Sequence, residues 1–235
     1  MGSSGSLILG GIVFDDMDQA DFTGPFEVLS RVPDSSFHVI GKGKEPVRDV
    51  RGLVLTPSLS FAESPQLDVL LVPGGSGVNV LMEDEEVLDF VRKQAAASRI
   101  VLSVCTGALI CGAAGILNGR RATTHWASHH LLSCFGALPV DARVVEDGSV
   151  ITAAGVTSGI DAALRVAAIL RGDEVAQGIQ LYMEYAPEPP FNSGSPTSAP
   201  PAVVSNTRAS MREVLDARAK VAKRVAAKLS AQSVG

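Results

Sequence analysis

Short runs of apolar residues recur along this chain, and each is followed by a turn and a segment with helical periodicity. Three of these runs are LILGGIVF at residues 7–14, LDVLLVP at 67–73 and IVLSV at 100–104. Strands that are buried on both faces lack the polar alternation of half-exposed strands, so this pattern is typical of a parallel sheet covered by helices. The sequence therefore predicts an α/β fold, doubly wound, with a mostly parallel sheet.

The remaining segments fit the same architecture. Further strands are predicted at 37–41 and in two hairpins, at 47–56 and at 142–152, the second with Asp147-Gly148 in its turn. Helices are predicted to begin near Pro25, to follow Cys105 as far as about Leu117, and to cover 85–97, 127–135, 157–172 and 173–185.

The two ends of the chain differ in composition from the middle. Residues 1–6, MGSSGS, predict a disordered start or a remnant of cloning, and residues 7–186 predict one α/β domain. Residues 187–235 predict a Pro-rich extension and one C-terminal helix, packed on the domain or on a dimer partner. The apolar stripe of that helix contains Met211, Val214, Val221, Val225 and Leu229, and its seven basic residues are expected on a solvated face.

Composition limits the partners and the compartment. The 235 residues carry a net charge of −5 with a pI of about 5.4, which argues against nucleic acid and anionic membranes. No apolar run approaches the roughly 18 residues of a membrane span. The three cysteines lack C-x-x-C spacing, and His125 and His129 lack an acidic partner, so neither disulfides nor a metal site is predicted. We expect a cytoplasmic protein.

The position of Cys105 is the main indication of chemistry. It stands between a predicted strand and a predicted helix, at the edge where open parallel sheets form their sites. Unpaired N–H groups and the helix dipole at this corner favour thiolate and would lower the thiol pKa below roughly 8.5. The pattern resembles a nucleophile elbow with Cys in place of Ser. The alternative is an inert buried cysteine, which is what we expect of Cys111 and Cys134.

Several motifs together resemble a known family. SVCTGALICGAAGILNGRRATTHW is similar to the ThiJ/PfpI superfamily, whose flavodoxin-like fold is that of the class I glutamine amidotransferases. Within it, the chain looks like the isonitrile (isocyanide) hydratases from about residue 7 to residue 229. The segments that carry this resemblance are DFTGPFEVL, VPGGSGV, SVCTG, RRATTHWASHHLL and YAPEPPFNSGSPTSAP.

The resemblance implies a lyase reaction in which water adds to an isonitrile to give an N-substituted formamide, without a cofactor. Cys105 matches the family nucleophile, which would form a covalent thioimidate. Asp21 matches an acidic residue that moves protons, although a helix cap near Pro25 is its alternative role. Thr106 stands where the proteases of the superfamily have His, which argues against peptidase activity. It is expected either to hydrogen-bond the carboxylate or the intermediate, or to satisfy backbone at the helix start.

Four more residues are implied at the site with less specific roles. Gly74 and Gly75 are expected to present backbone N–H groups beside the thiolate, or simply to form a tight turn. His125 is expected to tune Cys105 or to hold structure. Val156 replaces an Ile found in related hydratases, and this change is expected to affect pocket size and thereby substrate range.

Two other functions compete with the hydratase interpretation. One is a glyoxalase or deglycase activity on 2-oxoaldehydes, although those enzymes usually have Glu in place of Asp21. The other is a cysteine redox or ligand sensor without turnover. In each case we expect a homodimer, because the resemblance implies one and because two-fold dimers are the commonest assembly.

Overall fold

The structure is a computed structural model that describes residues 5–232. Four of the six residues of the predicted disordered start therefore lie outside the described residues, and Gly5 and Ser6 are exposed. No helix among residues 5–232 combines the length and the apolar character needed to cross a bilayer.

A seven-stranded sheet forms the centre of the molecule. Its order is β10-β11-β7-β6-β1-β2-β5, and its pairings are parallel except for the antiparallel hairpin β10–β11. The predicted doubly wound, mostly parallel α/β fold is thus confirmed. In chain order, the strands are β1 (Leu7–Ile12), β2 (Ser35–Gly41), β3 (Val47–Arg48), β4 (Val54–Leu55), β5 (Leu59–Ser60), β6 (Val69–Val72), β7 (Ile100–Val104), β8 (Arg121–Ala122), β9 (Leu138–Pro139), β10 (Val144–Asp147) and β11 (Val150–Ala153).

Helices cover both faces of this sheet. The apolar residues of β6 and β7 are fully buried between them, as the uninterrupted apolar runs predicted. The helices are α1 (Gln19–Leu29), α2 (Val78–Leu81), α3 (Glu85–Ala97), α4 (Gly107–Ala113), α5 (Ser158–Arg171), α6 (Asp173–Tyr182), α7 (Pro201–Ser210) and α8 (Arg212–Gln232), with a 3₁₀ helix at Trp126–Phe135.

The first helix begins earlier than predicted. Asp18 caps it by accepting a hydrogen bond from the N–H of Ala20, so Pro25 lies inside the helix rather than in its first turn. A start at Pro25 is therefore wrong, and so is the cap role considered for Asp21, which lies in the first turn of α1. The Asp18 cap marks the start of the helix more strongly than Pro25 does. A helix that is packed on the domain tolerates a proline and its missing N–H.

The C-terminal region also differs from expectation. The predicted single helix is broken near Met211 into α7 and α8, and α8 packs against α2, α4 and the 3₁₀ helix. Val221, Ala222 and Val225 are buried in this contact, in line with the predicted apolar stripe. One basic residue, Arg218, is also buried, which corrects the expectation that all seven basic residues lie on a solvated face.

Candidate active site

The site forms where three adjacent strands end. β1, β6 and β7 are neighbours in the sheet, and their carboxyl ends lead to Asp21, to Gly74-Gly75 and to Cys105 respectively. The carboxyl edge of an open parallel sheet is the general place for such sites. Residues that are far apart in the chain therefore meet here because of strand order.

Cys105 occupies a strained corner between β7 and α4. Its φ of 55° lies in the left-handed region, which a residue other than glycine adopts at a cost of about 1–2 kcal/mol. Two contacts hold this turn: the Cys105 N–H donates to the Ala153 carbonyl at 2.9 Å, and the Thr124 hydroxyl donates to the Cys105 carbonyl at 2.6 Å. The side chain is 7% exposed. Strain of this kind aims a side chain out of the regular backbone path, as in a nucleophile elbow.

Asp21 lies beside the thiol and is fully buried. Its Oδ2 accepts a hydrogen bond from the Gly74 N–H at 2.9 Å, and within residues 5–232 its Oδ1 has no hydrogen-bond partner. Burial, and secondarily the charge of Asp18, raises the pKa of Asp21 from 3.8 to about 7, while the Gly74 N–H and the Cys105 thiol oppose this rise. A carboxyl with a pKa near neutrality can both give and accept a proton.

Thr106 and the two glycines connect Asp21 to the elbow. The Thr106 hydroxyl accepts from the Gly75 N–H at 3.0 Å and donates to the Gly75 carbonyl at 3.2 Å. A Cβ on Gly74 would lie 2.5 Å from the Thr106 nitrogen and 2.9 Å from Asp21 Oδ2, so only glycine lets these groups approach. In this arrangement, the N–H groups of Gly74 and Gly75 thus face Asp21 and Thr106. That these N–H groups would stabilise a bound anion stays a prediction.

The thiol pKa differs from the value expected from the sequence. Burial raises the pKa of Cys105 well above its ordinary value, and the charge of Asp21 adds to this rise. The Thr106 N–H and the charge of Arg218 act in the opposite direction, as a helix N-terminus was expected to do. Desolvation outweighs them because the sulfur is enclosed, and the nearby Asp21 reinforces it.

His125 and Val156 lie on neighbouring loops. His125 Nδ1 accepts from the Ala127 N–H at 3.3 Å and so caps the 3₁₀ helix, and burial lowers the pKa of His125 to about 4. Val156 is half-buried in the turn between β11 and α5, just after the Ala153 carbonyl that anchors Cys105. His125 is therefore neutral and caps the 3₁₀ helix, which is the structural role considered for it as the alternative to tuning Cys105.

Arg218 also lies against the site, although no sequence pattern predicted it there. This residue on α8 is 5% exposed, and its Nη2 donates to the Gly75 carbonyl at 3.0 Å. The sequence shows it only as one of several basic residues on an amphipathic helix. Its spacing is a weak indication that Arg218 is buried, because it lies three residues before Val221 and four before Ala222 on the buried face of α8.

Among the described residues, no three His, Cys, Asp or Glu side chains gather as a possible ligand cluster. Cys111 is fully buried in α4, where burial raises its pKa to about 12, and Cys134 is half-buried.

Comparison with known proteins supports the grouping that the motifs indicate. The sequence profile of the DJ-1/PfpI family matches residues 11–169. The chain is 51% identical over 225 residues to an isonitrile hydratase from Pseudomonas putida, covering 96% of this chain and 99% of that protein.

Two further relatives are more distant. A ThiJ/PfpI family protein of known structure from Pseudomonas syringae superposes with a TM-score of 0.90 at 37% identity, covering 93% of this chain and 91% of the other. A glutathione-independent glyoxalase from Caenorhabditis elegans is 26% identical over 57% of this chain and 73% of its own length.

Proposed function

The chain belongs to the DJ-1/PfpI family, and on that basis we propose that it is a lyase that hydrates isonitriles, R–N≡C, to N-substituted formamides, R–NH–CHO. One observation carries the proposal: a strained, buried cysteine stands against a buried carboxyl with a pKa of about 7, in a chain similar over almost its whole length to an isonitrile hydratase.

The first step is addition of the Cys105 thiol to the terminal carbon of the isonitrile. The sulfur forms a bond to this carbon, the carbon gains the proton shared by Cys105 and Asp21, and the product is the thioimidate R–N=CH–S–Cys105. This divides one difficult hydration into two easier steps. A buried pair that holds one proton is suited to this step, because nucleophile and acid are brought together without bulk water.

The second step is attack by water on the thioimidate. Asp21 takes a proton from the water as the oxygen bonds to carbon and passes it to the nitrogen, which gives R–NH–CH(OH)–S–Cys105. The carbon–sulfur bond then breaks to release R–NH–CHO, and the proton of the hydroxyl group goes to the cysteine–aspartate pair, which again holds one proton. The pKa of Asp21 near 7 supports both roles, since a carboxyl that ionised near pH 4 would hold no proton to donate at neutral pH.

The other site residues support this pair. Thr106 holds Gly75, and the adjacent Gly74 N–H orients Asp21. Gly74 and Gly75 together stabilise negative charge as it develops on the substrate, and Val156, which is smaller than the Ile of related hydratases, changes the size of the pocket and so affects which isonitriles enter. No cofactor takes part.

The assembly and the compartment also belong to the proposal. The protein acts in the cytoplasm as a homodimer. Residues 7–186 form its catalytic domain, and residues 187–235 form an extension that packs on the domain or on the partner.

The test is conversion of a small aryl isonitrile by the purified protein, followed by chromatographic detection of the formamide. We expect turnover that Cys105→Ala reduces at least about a thousandfold, because the nucleophile is lost. Cys134→Ala is the matched control, since it removes a half-buried thiol outside the site.

The outcome separates the alternatives. Absence of formamide with the wild-type protein, while a related active hydratase converts the same isonitrile, would refute the proposal. Assays with 2-oxoaldehydes and with peroxide would then distinguish a glyoxalase or deglycase from a redox sensor, because a sensor shows Cys105 oxidation without turnover.

A further inference from the structure

The C-terminal helix α8 places a buried cation next to the site. Arg218 is 5% exposed, and among the ion pairs of the described residues none involves it. A buried charge without a counter-charge in contact is costly to fold. Its burial here requires an explanation beyond the amphipathic pattern of the helix.

Its hydrogen bonds do not supply a counter-charge. Nε donates to Asn79 Oδ1 at 2.9 Å, Nη1 donates to Ser128 Oγ at 3.0 Å, and Nη2 donates to the Gly75 carbonyl at 3.0 Å. All three acceptors are neutral. They fix the plane of the guanidinium while leaving its positive charge uncompensated by direct contact.

One of these acceptors belongs to the hydrogen-bond network of the site. The Gly75 carbonyl also accepts from the Thr106 hydroxyl, which in turn accepts from the Gly75 N–H. The preceding residue, Gly74, donates to Asp21. The guanidinium therefore holds the short backbone segment that orients both Thr106 and Asp21.

The ionisable groups around this cation come from separate elements. Cys105, which follows β7, and His125, which precedes the 3₁₀ helix, interact electrostatically with Arg218. Asp21 on α1 acts in turn on Cys105, and Asp18 acts on Asp21. Burial, and secondarily the positive charge of Arg218, lowers the pKa of His125 to about 4, and the same charge opposes the burial that raises the pKa of Cys105.

The charges of three of these groups cancel in one protonation state, with Asp18 outside this sum. With His125 neutral, Cys105, Asp21 and Arg218 together are neutral when the cysteine–aspartate pair holds one proton. The other charged contact of α8 in this region joins Arg224 to Glu83, two partly exposed groups whose charges cancel.

We propose that Arg218 is a positioning residue that balances the single negative charge of the Cys105–Asp21 pair and fixes Gly75 for Thr106. The C-terminal extension is therefore part of the active site rather than only a packing or dimerisation element. The effect on isonitrile turnover rests on the proposed function, whereas the effect on the thiol does not.

The experiment measures the pH dependence of Cys105 alkylation by iodoacetamide, followed by intact mass in a Cys134→Ala background. In Arg218→Gln we expect the alkylation rate at pH 7 to fall by about tenfold or more, because a nearby opposite charge shifts a pKa by about 1–3. Arg218→Lys keeps the charge and should restore most of the alkylation rate. Arg224→Gln, on the same helix, should leave both the rate and its pH profile unchanged.

A second variant guards against misfolding of Arg218→Gln. Asn79→Asp puts a carboxylate on Arg218 Nε, so it neutralises the cation while keeping the size of the side chain, at the loss of the Asn79 hydrogen bond to the Val214 carbonyl. We expect the same slowing of alkylation and a lower kcat/KM for the isonitrile. A purely structural role for Arg218 would leave the alkylation profile of Asn79→Asp unchanged, and that result would overturn the proposal.

The two proposals fail independently. If the wild-type protein forms no formamide but the alkylation profile shifts in Asn79→Asp, the assignment of Arg218 stands and the proposed function does not. If formamide forms and neither variant changes the alkylation profile, the proposed function stands and the assignment of Arg218 is wrong.

Discussion

The raised pKa of Asp21 has a measurable consequence for stability. Its pKa is 3.8 without the protein environment and about 7 in the folded chain, mainly because of burial. The folded state therefore holds a proton on Asp21 at pH values where the unfolded chain has released it. Stability must then fall as the pH rises from about 4 to about 7, because over that range the native state binds more protons.

The size of this effect follows from the same two values. Each pKa unit is worth about 1.4 kcal/mol, so the full loss is about 4 kcal/mol, and more than half of it falls between pH 5 and pH 8. Asp21→Asn keeps the shape and an acceptor for the Gly74 N–H but cannot ionise. We expect this variant to be more stable than its parent above pH 7, and the advantage to vanish near pH 4.

The assay is urea denaturation at several pH values between 4 and 8, at one protein concentration. Both proteins carry Cys105→Ala, so that the thiol does not titrate with the carboxyl. Glu63→Gln in the same background is the control. Lys44 is the main cause that lowers the pKa of Glu63 from 4.5 to about 2, so the contribution of Glu63 to stability is constant above about pH 5.5 and falls only below it. Free-energy curves for the parent and Asp21→Asn that run parallel from pH 4 to pH 8 would refute a raised pKa for Asp21.

Three further predictions concern the backbone. Cys105→Gly should be more stable than Cys105→Ala by about 1 kcal/mol in urea denaturation, because only glycine adopts a φ of 55° without strain; a more stable alanine variant would exclude strain at the elbow. Gly74→Ala should lower the free energy of unfolding by about 1–3 kcal/mol and reduce formamide formation at least tenfold. The control Gly43→Ala, with open space around the residue, should keep the free energy of unfolding within about 0.5 kcal/mol of wild type. Equal effects of the two substitutions would contradict the close approach at Gly74. Gly178→Ala, on the exposed side of α6, should raise the free energy of unfolding by about 0.5–1 kcal/mol, and a loss of stability would show that this position is not free.

Much of the fold could be predicted because it depends on neighbours along the chain. The apolar runs of β6 and β7 identify buried parallel strands, and the Asp147-Gly148 turn identifies the β10–β11 hairpin, in which Gly148 has a φ of 61°. The start of α1 was misplaced because Asp18 and Pro25 both resemble start signals. Packing of the helix on the domain tolerates the proline.

The candidate site was predicted in part. Cys105, Asp21 and Thr106 could be placed from their motifs, and strand order brings them together. The direction of the thiol pKa was wrong, because the sequence shows the helix N-terminus but not the depth of burial. Desolvation depends on everything packed around the sulfur, which no local pattern records.

By itself, the sequence determined the strand–turn–helix units, the cysteine at one of their corners and the family to which the chain belongs. These features depend on backbone preferences and hydrophobic periodicity, which act over a few residues. Only the tertiary structure decided that Arg218, 143 residues from Gly75 along the chain, is buried against the site. A basic residue on an amphipathic helix has the same local pattern whether it faces water or a protein interior, so its environment is decided by which surface the helix packs against.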